Sequence, residues 1–421
     1  VEKTGGESNM MNSRERVKLA LNFHPVDRPL IDLGSTRVSG ISGWIYRDIK
    51  KRLGIHDDLV NIYDLSAFCA EVEQEVLDRL GADFIMLPLQ KSSLDLSCGK
   101  WKNFSFWDGN SYLVPQDFNP RVQDDGTLLC GHGYPWTKVE REMPPGCRYF
   151  ERTEYPDISS IEFEIPHIDP EKWSFAPAFT EEFLAVEQRN AEYLYKNTDK
   201  AIVASVTPEA FGVPHGHGGT IGWSMKMQSD PSYAEDYMML EAEALGKRAE
   251  EYIQAAGKYI DVLVISHIDF GTQQSEIFNP DLFKEFFLPA WKYLTGIIHK
   301  LAPRLKIFIH SCGAVHELLP MFIEAGIDIY NPVQWTAAGM ERENLQKEFG
   351  GRIAFWGGAV NTQKTFIHGN PDCIAAETRD TIRILGRNYA YVVNAGHNIQ
   401  ADVPVENILT MYTSAADFRY E

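Results

Sequence analysis

The sequence contains no uninterrupted apolar run of about 18 residues, so no segment is expected to span a bilayer. Positive charge is also scarce. Forty Lys and Arg stand against 59 Asp and Glu, for a net charge of −19. A surface for nucleic acid or anionic membrane needs local or net positive charge, so neither partner is expected. Cysteine is sparse, at 69, 98, 130, 147, 312 and 373. That is too thin a scatter for a disulfide framework, and a reducing, cytoplasmic setting is expected. Any cysteine that matters would then act as a thiol or a metal ligand. Fixed-length repeats are lacking. So is a phosphate loop: Gly212, Gly216, Gly218 and Gly219 fit neither G-x-G-x-x-G nor G-x-x-x-x-G-K-S/T. Cys98, Cys130, His132 and Cys147 lack the C-x-x-C spacing of a structural zinc site. Residues 1–12 are polar, without the apolar core of a secretory signal, and read as a flexible tail before a single domain over 13–421.

What the sequence does have is ordinary globular composition, 44% apolar and 24% charged, which excludes a disordered chain. Short apolar runs alternate with amphipathic stretches. The runs are Arg28–Gly34, Ala82–Leu89, Ala201–Pro208, Asp261–Gly271, Leu305–Gly313, Ile327–Val333, Ile353–Ala359 and Ala390–His397. Their near-continuous Val, Ile, Leu and Phe is the pattern of strands buried on both faces of a parallel sheet. Helix starts stand at Asp230-Pro231, Asn279-Pro280 and Asn370-Pro371, with Gly326 placed as a C-terminal stop. Pro289 should kink the helix that opens at Pro280. Eight strands alternating with helices predict a (β/α)8 TIM barrel of the α/β class. Residues 90–175, rich in Gly, Pro, Asp and aromatics, predict a β-rich insertion between strands two and three at the barrel mouth. A separate small β domain is the alternative.

Active sites of such barrels lie at the C-terminal strand ends. Those positions hold Arg37, Glu209, His267, Asp269, Gln273, His310, Cys312, Asn331, Gln334, Asn361, Asn394 and His397. His310-Ser-Cys312 is the sharpest pair, because residues i and i+2 of a strand point to one side. Imidazole and thiolate are donors that zinc prefers, and His397 at the eighth strand end can supply a third. The plainer alternative is a buried His and Cys beside a strand. Asp269 suits a general acid or base, or a group holding a substrate hydroxyl; it could equally cap a loop. His215 and His217 lie among glycines, in a loop able to close over a ligand or simply face solvent.

These residues resemble the uroporphyrinogen decarboxylase superfamily. Ser13 to Pro29 is similar to its N-terminal helix and first strand. Ile309-His-Ser-Cys-Gly313, Trp356-Gly-Gly358 and Asn394-Ala-Gly-His397 are similar to its C-terminal half. The resemblance implies a (β/α)8 barrel with its site at the mouth, and two possible chemistries. The decarboxylases carry an arginine-rich segment after the first strand, where this chain has Gly34-Ser-Thr-Arg37-Val-Ser-Gly40 with one arginine. One guanidinium pairs about one carboxylate. The corrinoid-linked methyltransferases bind zinc through a strand-end His-x-Cys, matched by His310 and Cys312, plus a later Cys, where this chain has His397. No carboxylate stands one strand on, where Tyr330, Asn331 and Gln334 lie.

The resemblance therefore implies an enzyme that moves a methyl group from a small methylated donor, such as a methoxylated aromatic, to a corrinoid (cobalamin) carried by a partner protein. Zinc held by His310, Cys312 and His397 would be the Lewis acid. Asp269 or Glu209 would assist the leaving group and Arg37 would orient the substrate. His267, Gln273, Asn331, Gln334, His217 and Asn394 would line its site. The alternative is a metal-free decarboxylase of a smaller carboxylic acid. Methyl delivery to a thiol such as coenzyme M, and a porphyrin or corrinoid carrier, are further readings.

Overall fold

The computed structural model describes residues 11–153, 179–206, 211 and 219–420. Each of the eight apolar runs contains one barrel strand: β1 (Leu30–Ile31), β2 (Phe84–Met86), β3 (Ala201–Ser205), β4 (Val262–Ser266), β5 (Lys306–His310), β6 (Ile329–Asn331), β7 (Ala354–Trp356) and β8 (Tyr391–Val393). They form one parallel sheet in the order β1-β8-β7-β6-β5-β4-β3-β2. The sheet closes between β1 and β2 around Asp83. Its N–H donates to the Ile31 carbonyl at 2.8 Å, and its carboxylate accepts from the Ile31 N–H at 3.0 Å. Arg16 and Arg28 hold that fully buried carboxylate at 2.8 and 2.7 Å. Removing either arginine leaves buried negative charge poorly paired, a change that costs about 3–5 kcal/mol.

Strand alternation explains why the runs are apolar throughout. Leu30, Phe84, Val203, Phe308, Ile329, Trp356 and Val392 belong to one cluster with members from all eight strands, which fills the barrel. Their neighbours Ile31, Ile85, Ile202, Ile307, Tyr330 and Tyr391 pack in the second cluster, between sheet and helices. Helix Ser13–Ala20 adds Val17 and Ala20 to the inner cluster. Asn12, expected in a flexible tail, instead caps this helix in a reciprocal box with Glu15. Residues 1–10 lie outside the described residues.

The helix starts follow the sequence signals. Asp230, Asn279 and Asn370 each cap with their side chain ahead of a proline. Gly326 takes the left-handed conformation after helix Leu319–Glu324. Just ahead of Pro289, where a kink was expected, the chain makes a π-helical turn over Phe283–Phe287 before helix Leu288–Leu301. Among the described residues no helix is long and apolar enough to cross a membrane.

Between β2 and β3 lie a hairpin, Trp101–Ser105 with Ser111–Pro115, and a four-stranded antiparallel meander running from Arg121–Val122 to Glu151–Arg152. Residues 154–178, where the expected insertion ends, fall outside the described residues. A ribbon of Ile62–Asp64 and Cys69–Ala70, not anticipated from sequence, lies between β1 and β2. Asn61 bridges to Leu113 of the hairpin. Trp44 stacks on Phe68 at 3.9 Å, and Phe106 and Tyr112 meet both edge-on. This aromatic core fastens the hairpin to the barrel's first helical layer.

Candidate metal centre at the strand ends

The ladder between β4 and β5 sets Ser266 beside Ile309. Three residues further along each chain, Asp269 meets Cys312, and the Cys312 N–H donates to Asp269 Oδ1 at 2.7 Å. The two loops touch backbone to backbone, with the Ala314 N–H donating to the Thr272 carbonyl at 2.7 Å. A Cβ on Gly313 would sit 2.4 Å from the backbone of Gly271, and Gly313 has φ +89°. Only glycine accepts both conditions. The Phe270 N–H donates to Ser311 Oγ, tying the loops once more.

Among the described residues, one group of three metal-type donors closes within 4.8 Å: Asp269, His310 and Cys312. His310 Nε2 lies 3.3 Å from Cys312 Sγ and 3.6 Å from Asp269 Oδ1. Asn331 decides how the imidazole is protonated. Its Nδ2 donates to the Trp356 carbonyl at 3.2 Å, so its Oδ1 must be the atom 2.6 Å from His310 Nδ1. Nδ1 therefore carries the hydrogen, and Nε2 turns a lone pair toward Cys312 and Asp269. This is the arrangement by which an outer partner orients a metal-binding histidine. Burial lowers the His310 pKa against the opposing pull of Asp269. Burial, followed by Asp269, pushes the Cys312 thiol up. Without an ion the thiol keeps its proton; binding a cation here would release it. The donor set fits zinc, which accepts N, S and O ligands and leaves a fourth position open in catalytic sites.

His397, expected as the third ligand, stands against His310 with ring centroids 5.2 Å apart and edge-to-face, but is not in the three-donor group. Asp269 lies in that group because the β4–β5 register brings it to Cys312. The mouth's burial, then His310, lowers His397 to about 4. His267 lies 6.4 Å from His310 between ring centroids. Its pKa is driven well below the usual value by burial and then by Arg37.

The other candidate positions divide into three kinds. Asn331, expected at substrate, is buried and spends both ends of its amide on His310 and Trp356. Asn394, expected likewise, is buried and donates to the Asp32 and Ser39 carbonyls, stitching β8 to β1. Gln334 accepts from the Gly313 N–H at 2.9 Å and so steadies the loop that carries Cys312. Gln273 is exposed, on the loop beyond β4. Arg37 is paired with Asp64 at 2.8 Å. Glu209, His215 and His217 lie outside the described residues. Sequence reasoning missed Asp64 as the partner of Arg37, and Asp32, whose burial raises its pKa to about 6 despite hydrogen bonds from the Ser35 N–H and Trp356 Nε1.

The profile of the uroporphyrinogen decarboxylase (URO-D) family matches residues 215–418, the stretch holding β4 to β8 and all three donors. This C-terminal part of the chain is thus similar to the uroporphyrinogen decarboxylase family. Uroporphyrinogen decarboxylase 2, chloroplastic, of Arabidopsis thaliana is 28% identical over 160 residues, covering 36% of this chain and 38% of that protein. The uroporphyrinogen decarboxylase of Microcystis aeruginosa is 21% identical over 197 residues, covering 45% and 54%. The matched segments thus span about half or less of those relatives. A methyltransferase from Methanosarcina mazei shares the fold over 97% of this chain and 99% of that one, with a TM-score of 0.50 and 14% identity. The family signal and the donor group therefore occupy the same part of the chain.

Proposed function

We propose that this protein is a corrinoid-dependent methyltransferase of the O-demethylase type. It would move a methyl group from a small methylated donor, such as a methoxylated aromatic, to a cobalamin protein. The observation that carries the proposal is the convergence of Asp269, His310 and Cys312 within 4.8 Å. When bound there, zinc supplies a Lewis acid that takes up charge developing on the heteroatom that loses the methyl group. The chain's own residues set this up beforehand. Asn331 fixes the His310 tautomer, the Cys312 N–H anchors Asp269, and Gln334 steadies Gly313. Such preorganisation matters because a donor displaced by about 1 Å loses much of its effect.

The corrinoid would arrive on a partner protein docking at the mouth, and the setting would be cytoplasmic. The decarboxylase reading draws support from the names of the curated relatives. Against it stands Arg37, the one arginine of the segment after β1, already committed to Asp64. Elemental analysis of the purified protein and of Cys312→Ala separates the two. About one zinc per chain, lost in the variant, supports methyl transfer and leads to assays with methoxylated aromatics and reduced corrinoid. No zinc in the wild type after resupply favours the lyase.

A further inference from the structure

A cavity of about 20 Å³ is bordered by Ser35, Arg37, Met86, Ser205, Val264 and His267, and the His267 ring lies 6.4 Å from that of His310. That is room for about one water-sized oxygen. His267 Nδ1 is buried and has no hydrogen-bond partner among the described residues. A buried ring nitrogen of this kind is costly unless an oxygen reaches it. Arg37 is the one cation among the described lining residues, and it is ion-paired. Its Nε and Nη2 both donate to Asp64 Oδ2, at 3.1 and 2.8 Å. Asp64 is itself buried and accepts from the Ala67 N–H and Ser93 Oγ. A divalent ion held by one thiolate, one carboxylate and a neutral imidazole would also carry no net charge. Among the described residues, the cavity lining therefore has no uncompensated cation for an incoming carboxylate, and the cavity is small.

We propose, resting on the methyl-transfer reading, that this cavity selects a neutral methyl donor by seating a single hydroxyl or ether oxygen against His267, and disfavours carboxylate-bearing donors. His267 is then a specificity-determining residue, and the Arg37–Asp64 pair is the device that keeps the cavity uncharged.

Equilibrium dialysis of the purified full chain against 2-methoxyphenol and 2-methoxybenzoate tests this without corrinoid or turnover. The phenol is expected to bind at least about tenfold more tightly, given the cost of an uncompensated charge. Asp64→Asn uncovers the Arg37 guanidinium and should raise benzoate binding by about tenfold. His267→Phe should remove the preference for the phenol. Should Asp64→Asn fail to fold, the wild type and His267→Phe still decide. Equal or tighter binding of the benzoate by the wild type overturns the proposal. So does a phenol that fails to bind at about 10 mM, a concentration suited to weak fragments. Zinc measured on the same samples separates the two readings. A zinc-free protein that prefers the phenol removes methyl transfer alone. A zinc-bearing protein that prefers the benzoate removes the cavity proposal alone.

Discussion

The two halves of the barrel treat charge in opposite ways. On the β4–β6 side, Asp269, His310 and Cys312 converge, and each is held by a neighbour that leaves its donor atom facing the group. On the β1–β2 side, Arg37 meets Asp64, and Arg16 and Arg28 meet Asp83, so ionic groups are closed off against each other. One site presents donor atoms and the other pairs its charges. The first coincides with the family match over 215–418; the second belongs to the half interrupted by the hairpin and meander.

The largest effect that would sharpen this contrast is on stability. Phe106 is 5% exposed in the aromatic core beside Trp44 and Phe68. Phe106→Ala is expected to destabilise by about 3 kcal/mol in denaturant titration. Its bound metal per folded chain should not change, because no donor comes from that half. Metal lost along with stability would show that the halves are not independent.

A smaller effect is expected from Asn331→Leu. The isosteric change frees the His310 tautomer without touching a donor atom. Zinc affinity by competition with a chelator should fall about 10–100-fold, while secondary structure is retained. Unchanged affinity would remove Asn331 from the account.

Smallest is the expected effect of Asp32. Its folded pKa of about 6 lies above the ordinary carboxylate value. Between about pH 4 and 6 the native state therefore holds a proton that the unfolded chain has released. Through this group, stability falls as pH rises across that window and stays lower above it. Asp32→Asn should flatten this part of the pH profile and raise stability at pH 7 by about 1–2 kcal/mol relative to the wild type. Chemical denaturation of the metal-free protein at several pH values checks the sign.

Much of the barrel could be read from the sequence because β-strands buried on both faces leave continuous apolar runs. All eight runs hold a strand, though β1 is only Leu30–Ile31. His310 and Cys312 were legible because their i, i+2 spacing on a strand has one geometric meaning. Asp269 was recognised as chemical but not as their partner. Its signal was its offset: three residues past Ser266, as Cys312 is three past Ile309, on strands that pair in that register. His397 was favoured because it ends the eighth strand and can reach the same mouth, and spacing alone does not say which side chains converge there. The Arg37–Asp64 pair and the ribbon at Ile62–Asp64 were not legible, since both join segments that carry no periodic signal. The meander between β2 and β3 was legible only as β-rich, because short antiparallel strands depend on partners that composition does not specify.

We propose that Asp269, rather than His397, completes the group with His310 and Cys312. Zinc content of Asp269→Ala and His397→Ala, measured beside the wild type after identical zinc resupply and desalting, tests it most directly. The account predicts about one zinc per chain in the wild type and in His397→Ala, and less than about a tenth of that in Asp269→Ala. Zinc kept by Asp269→Ala and lost by His397→Ala would contradict it.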